Sequence, residues 1–184
     1  DDGTIWGGEV MIADDHKYER KYSLQSFRLL GSEKAVKEPY RNALSLLFEY
    51  YSLKEVMELD LGLINGLSKE ELVLFHKAWK KGLNSPYCSS MGRLFDAVAS
   101  LADIIHITSF EGESGLKMES HVDDIITQSF TFNIKAGVIE LEPMIREIIN
   151  MNDSAKIISI FFNTLVEIIA EVVFLQPDLP LVSS

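Results

Sequence analysis

The sequence predicts a single α+β domain over residues 1–184 that is predominantly helical, with an N-terminal β-hairpin and a few further strands. Three observations support this. Apolar and polar residues alternate near the start, most of the remaining chain has apolar residues at helical spacing, and 47% of the residues are apolar. A chain of 184 residues with this composition is long enough to bury a core.

The predicted hairpin occupies the first thirty residues. Apolar and polar residues alternate through 9–13 and again through 18–30, and the turn-forming pair Asp14-Asp15 lies between the two segments. This period of two residues is typical of half-buried strands. Gly31-Ser32 follows as a turn and a helix N-cap.

Local capping signals mark the helices of the first half. Pro39 suits the first turn of a helix and not its interior, so a helix is predicted to begin near it and to end near Tyr51. Ser68 followed three residues later by Glu71 forms a capping-box pattern, which predicts a helix over 69–81 that ends at Gly82.

Periodicity defines the elements of the second half. A helix is expected from Ser89 or Ser90, because apolar residues recur at helical spacing between positions 91 and 101. Strand-like segments are predicted at 104–109 and 129–134, and helices at 140–150 and 154–175. Pro177 and Pro180 end the last helix before Leu181-Val182, which has strand-like composition.

The segment 157–175 is almost long enough to cross a membrane. Polar residues nevertheless recur every four positions and form one stripe along the helix: Ser159, Asn163, Glu167 and Glu171. A carboxylate at the centre of a membrane span costs roughly 2.5 kcal/mol or more. We therefore expect a core helix with one solvated or hydrogen-bonded edge, and we expect no membrane partner.

Charge and cysteine content exclude several classes of function. A net charge of -11 and a pI near 4.8 disfavour nucleic acid and anionic lipid as partners. Cys88 is the single cysteine, and the four histidines never occur at the i, i+4 spacing of a helical metal site. These features predict a cytoplasmic protein without a metal site in this chain. The chain begins with Asp1, which suggests a segment of a longer protein.

Three short sequence features are candidates for ligand binding. Gly7-Gly8 precedes a strand, where backbone amides can hold a phosphate, although such a pair is more often an ordinary turn. Asp96 interrupts an apolar helix face, so its carboxylate must reach solvent, a base such as Arg93, or a ligand hydroxyl. Glu111 and Glu113 flank Gly112, and this group is either a ribose-diol acceptor or an acidic turn.

Four strings taken together resemble the HypF family of carbamoyltransferases over nearly the whole chain: DDGTIWGGE at 1–9, KEPYRNALSLL at 37–47, NSPYCSSMGRLFDAVASL at 84–101 and FEGESGLKMES at 110–120. The third string is the most specific. The closing PLVSS resembles the start of the family's strand before a Gly-Gly-Val motif.

The resemblance implies a partial domain of the actin and sugar-kinase fold, related to threonylcarbamoyl-transferring tRNA-modification enzymes. It implies transfer of a carbamoyl group from carbamoyl-adenylate, made from ATP elsewhere in the full protein, to the C-terminal cysteine of HypE. That step belongs to the synthesis of cyanide ligands for nickel-iron hydrogenases. The residues that match the family's ribose-binding motif are Gly92, Phe95, Asp96 and Gly112, with Glu113 beside them.

The resemblance also implies that this chain is incomplete. The family's histidine pair and an aspartate metal ligand would precede Asp1, and further motifs would follow Ser184. Three places depart from the family pattern: Leu30-Gly31-Ser32 replaces Pro-Gly-Gly, Phe161-Phe162 replaces Phe-His, and Tyr40 replaces the common tryptophan. The isolated chain is expected to be inactive, to bind ATP weakly or not at all, and to self-associate through uncovered apolar surface.

A helical module that docks a partner protein, with no nucleotide site, is the alternative interpretation. Geometry distinguishes the two. Convergence of Asp96, Glu113 and the Gly7-Gly8 loop on one concave surface favours a nucleotide site, whereas an Asp96 pair with Arg93 or Arg41 on a convex face favours docking.

Overall fold

A computed structural model of the chain describes residues 3–13 and 16–176. Helices dominate, and two small sheets complete an α+β fold, which confirms the predicted class. The strands within these residues are β1 (Glu9–Ala13), β2 (Tyr18–Leu24), β3 (Phe27–Arg28), β4 (Tyr87–Cys88), β5 (Asn133–Lys135) and β6 (Val138–Glu140). The helices in the same described part of the chain are α1 (Glu33–Lys37), α2 (Pro39–Tyr50), α3 (Leu53–Glu58), α4 (Gly62–Asn65), α5 (Lys69–Lys81), α6 (Met91–Leu101), α7 (Glu113–Glu119), α8 (Glu142–Ile148) and α9 (Ser154–Phe174).

The N-terminal hairpin is confirmed and forms one edge of a four-stranded sheet in the order β1-β2-β6-β5. β1 and β2 are antiparallel, whereas β2 and β6 are parallel, with Ser23 opposite Val138. The second strand ends at Leu24 and does not continue to residue 30. Phe27 and Arg28 instead pair with Cys88 and Tyr87, which brings the hairpin next to the segment that precedes α6.

The predicted helix starts at Pro39 and Ser68 are confirmed. Pro39 is the first residue of α2. Ser68 accepts a hydrogen bond from the backbone N–H of Glu71, and the Glu71 carboxylate accepts one from the backbone N–H of Ser68, so α5 begins with a complete capping box. Gly82 then ends α5 in the left-handed conformation, with φ of 63°.

The core lies where α2 crosses α6. Both helices bury leucine and alanine side chains completely, and Asn42 on α2 donates to the backbone oxygen of Ala35 at 2.8 Å, which ties α1 to α2. Phe161 on α9 joins this core and packs edge-to-face against Phe95 of α6, with ring centroids 5.2 Å apart. Helix α6 is therefore held from two sides.

Two strand predictions in the second half are wrong in position. Residues 104–109 are bends and irregular backbone, because Asp103 takes a positive φ of 58° just after α6 and the chain turns back toward α2. The strand expected at 129–134 begins only at Asn133, since Phe130 donates its backbone N–H to the Thr164 hydroxyl of α9. The predictions also lacked α3, α4 and α7.

The predicted polar stripe of α9 is confirmed as a hydrogen-bonded edge over most of its length. Ser159, Asn163 and Glu167 bond the segment 123–129: Ser159 Oγ accepts from Asp123 N, Asn163 donates to the backbone oxygens of Ile126 and Gln128, and Glu167 accepts from Ser129. Among the described residues, α9 is the one helix long and apolar enough to cross a membrane, and 44% of its most apolar window is buried.

Several predicted features lie outside the described residues. These are the turn at Asp14-Asp15, the two prolines Pro177 and Pro180, and the strand-like end of the chain at Leu181-Val182.

Candidate functional site

The candidate site is built around the first turn of α6. Ser90 caps this helix, because its hydroxyl accepts from the backbone N–H of Arg93 at 3.4 Å. The amide of Met91 donates to the carbonyl of Gly7 at 3.1 Å, so the N-terminal loop is fastened directly to the helix start. The predicted helix start at Ser89 or Ser90 is confirmed.

The amides of the Gly7-Gly8 loop bind a side chain of the protein itself. Gly7 and Gly8 donate to one carboxylate oxygen of Glu9 at 2.6 and 2.9 Å, and the Ser89 hydroxyl donates to the other. Glu9 thus occupies the position that was predicted to hold a phosphate, and it joins the loop to the residue before Ser90.

Gly8 is also required by packing. A methyl group added there would lie 2.4 Å from the Ser89 carbonyl oxygen and 2.6 Å from a Leu24 methyl. The backbone of this loop therefore approaches Ser89, just before α6, more closely than any other residue type allows. Gly92, in contrast, faces open space apart from the Ser90 hydroxyl at 3.7 Å.

Asp96 is buried, with 5% of its surface exposed, so it does not lie on a solvated edge. One carboxylate oxygen accepts from the Ser114 hydroxyl at 2.6 Å, and the other lies 2.7 Å from Arg93 Nη1 as an ion pair. Burial raises the pKa of Asp96, and the bond from Ser114 and the charge of Arg93 oppose this shift. Asp96 thereby ties α6 to α7.

Arg93 extends from this ion pair to the surface of a cleft. Its Nη1 atom also donates to the backbone oxygen of Val36 at 3.3 Å, and 14% of its side chain is exposed. Because guanidinium groups offer planar pairs of N–H donors, an anchored arginine of this kind suits anionic oxygens.

Gly112 and Glu113 begin α7. Gly112 has a positive φ of 86°, which favours glycine, and a side chain added there would meet no atom within 4 Å. Glu113 accepts from the backbone N–H of Ser109 at 2.6 Å and pairs with Lys117 at 3.0 Å. The bond from Ser109 lowers the pKa of Glu113, followed by that from Lys117. Both residues therefore have clear structural roles.

The cleft beside α6 has a volume of about 340 Å³, within the usual range for small-molecule sites. Its polar lining includes Ser32, Glu33, Ser90, Arg93 and Glu111, and its apolar lining includes Ile5, Leu29, Val36 and Cys88. An arginine, two carboxylates and two hydroxyls beside apolar side chains suit a ligand with both an anionic group and hydroxyl donors.

The predicted site residues border this cleft and do not line it. Gly7, Gly92 and Asp96 each lie next to, or bond, a lining residue, and Gly112 and Glu113 directly follow Glu111. Asp96, Glu113 and the Gly7-Gly8 loop therefore do not converge on this concave surface. Asp96 instead forms the pair with Arg93 that was named for the docking alternative, although Arg93 lines the cleft and not a convex face. Assignment of these residues to a nucleotide remains a prediction.

The polar lining residues that were not predicted for the site are Ser32, Glu33, Ser90 and Arg93, whereas Glu111 belongs to the acidic pair that the sequence suggested as a diol acceptor or an acidic turn. The sequence could have indicated Arg93, because an arginine three residues before an aspartate on one helix is close enough to pair with it. The sequence could not have indicated Glu33, since only the tertiary fold brings α1 to the cleft.

The side chains that could act as nucleophiles, Cys88 and Ser100, are buried. Burial raises the pKa of the Cys88 thiol to about 11, so it is protonated at neutral pH. His106 bonds Ser100 and Asp103 at 2.9 and 2.8 Å, but Ser100 is fully buried. Within residues 3–13 and 16–176, no three histidine, cysteine or carboxylate side chains gather to hold a metal ion.

Comparison with known proteins gives consistent matches. Residues 1–177 match the sequence model of the family described as carbamoyltransferase, Kae1-like domain, second subdomain. The chain is 33% identical over 187 residues to the carbamoyltransferase HypF of Synechocystis sp., covering 91% of this chain and 24% of that protein. It is 37% identical over 124 residues to the HypF of Rhodobacter capsulatus, covering 67% of this chain and 16% of that protein.

Solved structures agree with the sequence matches. A full-length HypF, described as phosphate- and nucleotide-bound, superposes with a TM-score of 0.82 at 29% identity, covering 95% of this chain and 23% of that one. The HypF of T. kodakarensis superposes with a TM-score of 0.78 at 25% identity, covering 93% and 24%. The chain therefore spans no more than about a quarter of the length of these relatives.

Proposed function

The chain belongs to the HypF family of carbamoyltransferases, and from this premise we propose that it forms the nucleotide-facing wall of the transferase site in a longer protein. That protein passes a carbamoyl group from carbamoyl-adenylate, derived from ATP, to the C-terminal cysteine of a HypE-type maturation protein. The reaction serves the synthesis of cyanide ligands for nickel-iron hydrogenases and takes place in the cytoplasm.

The observation that carries this proposal is the cleft at the start of α6. An adenylate has one phosphoryl group and a ribose diol, and it therefore needs a cationic donor beside hydrogen-bond acceptors. The cleft offers Arg93 for the phosphoryl group and Glu33 and Glu111 for hydroxyls, and its volume of about 340 Å³ suits part of such a ligand.

The described residues supply binding rather than a nucleophile. Cys88 is buried and protonated, and Ser100, the hydroxyl bonded to His106, is inaccessible. The attacking thiolate in the proposed reaction belongs to the partner protein, so this chain needs only to hold the adenylate and to exclude water around it. Metal ligands, which the family supplies, are expected upstream of Asp1.

Carbamoyl transfer by the full-length protein tests the proposal. The protein that carries this chain is mixed with carbamoyl-adenylate and a HypE-type protein, and mass spectrometry follows addition of one carbamoyl group to the C-terminal cysteine. Transfer that is lost when Arg93 becomes Met supports the proposal. Unchanged transfer with both Arg93 and Glu111 replaced contradicts it.

The isolated chain is expected to be inactive and to bind ATP weakly or not at all, since other parts of the polypeptide complete the cleft. Titration calorimetry measures this directly. Micromolar affinity of the isolated chain for ATP would show that the rest of the polypeptide is not needed for binding.

A docking role is the second candidate, and the outer face of α9 favours it. Val166, Ile169 and Phe174 are 65%, 55% and 78% exposed, which is unusual for neighbouring apolar residues on one helix. We propose that the remainder of the same polypeptide covers this face. If charges placed on α9 abolish carbamoyl transfer while changes at Arg93 do not, docking is the better description.

A further inference from the structure

Asn65 is the last residue of α4 and is followed directly by Gly66, and both residues are exposed. The sequence contains this Asn-Gly pair once. Asparagine is a thermolabile residue because it can lose its side-chain amide, and a following glycine favours this loss since its backbone nitrogen has no side chain beside it to hinder attack. The pair is therefore a candidate site of chemical modification.

The reaction needs only the chain itself, water and hydroxide. Hydroxide removes the amide proton of Gly66, the nitrogen attacks Asn65 Cγ, and a new C–N bond closes a cyclic succinimide. The bond between Cγ and Nδ2 breaks, and the side-chain nitrogen leaves as ammonia after it takes a proton from water. One water molecule then opens the ring at either carbonyl carbon and yields aspartate or isoaspartate. The net change replaces a neutral amide with a carboxylate.

The fold opposes this reaction through both reacting groups. The Gly66 N–H donates to the carbonyl oxygen of Gly62 at 3.0 Å, so the attacking nitrogen is held in a helical hydrogen bond. Asn65 Nδ2 donates to Asp60 Oδ1 at 3.0 Å, which orients the side-chain amide toward Asp60. The nitrogen of Gly66 can reach the side-chain carbonyl of Asn65 only when the last turn of α4 opens.

We infer that Asn65 is a site of spontaneous deamidation and that the reaction proceeds only after the last turn of α4 unwinds. Helix α4 has four residues, so few backbone bonds hold this turn, and it opens more often than the core does. The inference does not depend on the cleft at the start of α6 or on the proposed function.

Deamidation changes the electrostatics at this end of the molecule. The amide that donates to Asp60 becomes a carboxylate, so repulsion between like charges replaces a hydrogen bond. Gly62, at the start of α4, packs against Asp103, since a methyl group added at Gly62 would lie 2.1 Å from Asp103 Oδ1. This contact joins α4 to the end of α6, so the added charge weakens a link between the two helices.

The test follows the modification in the full-length protein that carries this chain. The protein is incubated at mildly alkaline pH with and without denaturing urea, and mass spectrometry measures the fraction of the peptide around Asn65 that has lost ammonia or gained a carboxylate. Conversion should be roughly tenfold or more faster in urea than in the folded protein, because the folded protein reacts only during local opening.

Gly66→Ala is the matched control for the chemistry. Gly66 has φ of -78°, which alanine adopts without strain, and the added methyl group would lie 3.4 Å from the Gly62 carbonyl oxygen, an ordinary contact. This variant should fold normally and react much more slowly in urea. Asp60→Ala removes the acceptor of the Asn65 amide and should speed the reaction of the folded protein roughly two- to tenfold.

The effect of the added charge is measured on a variant. Asn65→Asp should increase hydrogen exchange in the segment 59–66, and Asp60→Asn in the same protein should reverse most of that increase, because an amide then faces the new carboxylate. Unchanged exchange in Asn65→Asp would contradict the weakened link between α4 and α6.

Two results would overturn the inference about the site. Equal rates of conversion in urea and in the folded protein would show that opening of α4 does not control the reaction. Absence of conversion in urea, or conversion there that Gly66→Ala does not slow, would show that Asn65 is not the reacting residue. A rate in the folded protein that Asp60→Ala leaves unchanged would contradict the protective role of the bond to Asp60.

Discussion

Replacing Gly8 with alanine tests whether the N-terminal loop is fixed against the start of α6. The added methyl group would lie 2.4 Å from the Ser89 carbonyl oxygen and 2.6 Å from a methyl of Leu24, which is 1% exposed. Neither neighbour is the end of a flexible side chain at the surface. The loop or α6 must therefore move.

The cost of that movement follows from the contacts that surround it. The Gly8 carbonyl accepts from Leu24 at 2.8 Å and its amide donates to Glu9 at 2.9 Å, so a shift of the loop strains both bonds. Overpacking a well-ordered site costs roughly 1–3 kcal/mol. A loss of about 2 kcal/mol lowers Tm by about 4–8 °C in a chain of this size.

Thermal and urea denaturation followed by circular dichroism measure the effect, with Gly92→Ala as the matched control. A methyl group at Gly92 would meet only the Ser90 hydroxyl at 3.7 Å, so that variant should be neutral or up to about 1 kcal/mol more stable. Equal stability of Gly8→Ala and the unchanged chain would mean that the loop does not pack against Ser89 and Leu24, contrary to this prediction.

Three further predictions concern other parts of the structure. Burial raises the folded-state pKa of Asp96 above its ordinary 3.8, so ionisation of this carboxyl disfavours the folded state. As the pH rises from about 4 through the raised pKa, the chain should therefore lose stability relative to Asp96→Asn. Urea titrations at several pH values measure this difference in unfolding free energy. A constant difference between the two proteins would contradict this. Ser68→Ala removes the hydroxyl of the α5 capping box and should cost about 1 kcal/mol of unfolding free energy; an unchanged urea midpoint would argue against the cap. Ile169→Glu on the outer face of α9 should reduce self-association seen by light scattering, whereas Leu74→Glu, at a similarly exposed position on α5, should not; equal effects of both would indicate nonspecific association.

Helix starts were predictable because their signals are local. Pro39, the pair Ser68 and Glu71, and Ser90 act on backbone groups within three residues, so the sequence alone contains the interaction. The polar stripe of α9 was predictable for a related reason, because its period of four is a property of one helix.

Features that depend on distant residues were not predictable. The segment 104–109 has strand-like composition, but the positive φ of Asp103 and the bond from Thr108 to Lys37 place it in turns against α1 and α2. Helix α7 follows a glycine with positive φ, a position that the sequence suggested as a ribose-diol acceptor or an acidic turn but not as a helix start.

The candidate site was also predictable only where it depends on local sequence. The sequence identified Asp96 as an unusual carboxylate in an apolar helix, and the structure confirms that it needs a partner. Its hydroxyl partner, Ser114, lies eighteen residues away, and the cleft includes Glu33 from a different helix. The sequence could therefore indicate the neighbourhood of the site but not which side chains face the ligand.

A crystal structure of the full-length protein with bound AMP would locate the nucleotide relative to this chain. We expect an adenylate in the cleft at the start of α6, with its phosphoryl oxygen bonded to Arg93 and its ribose hydroxyls bonded to Glu111. A nucleotide bound elsewhere, with that cleft left empty, would contradict this expectation.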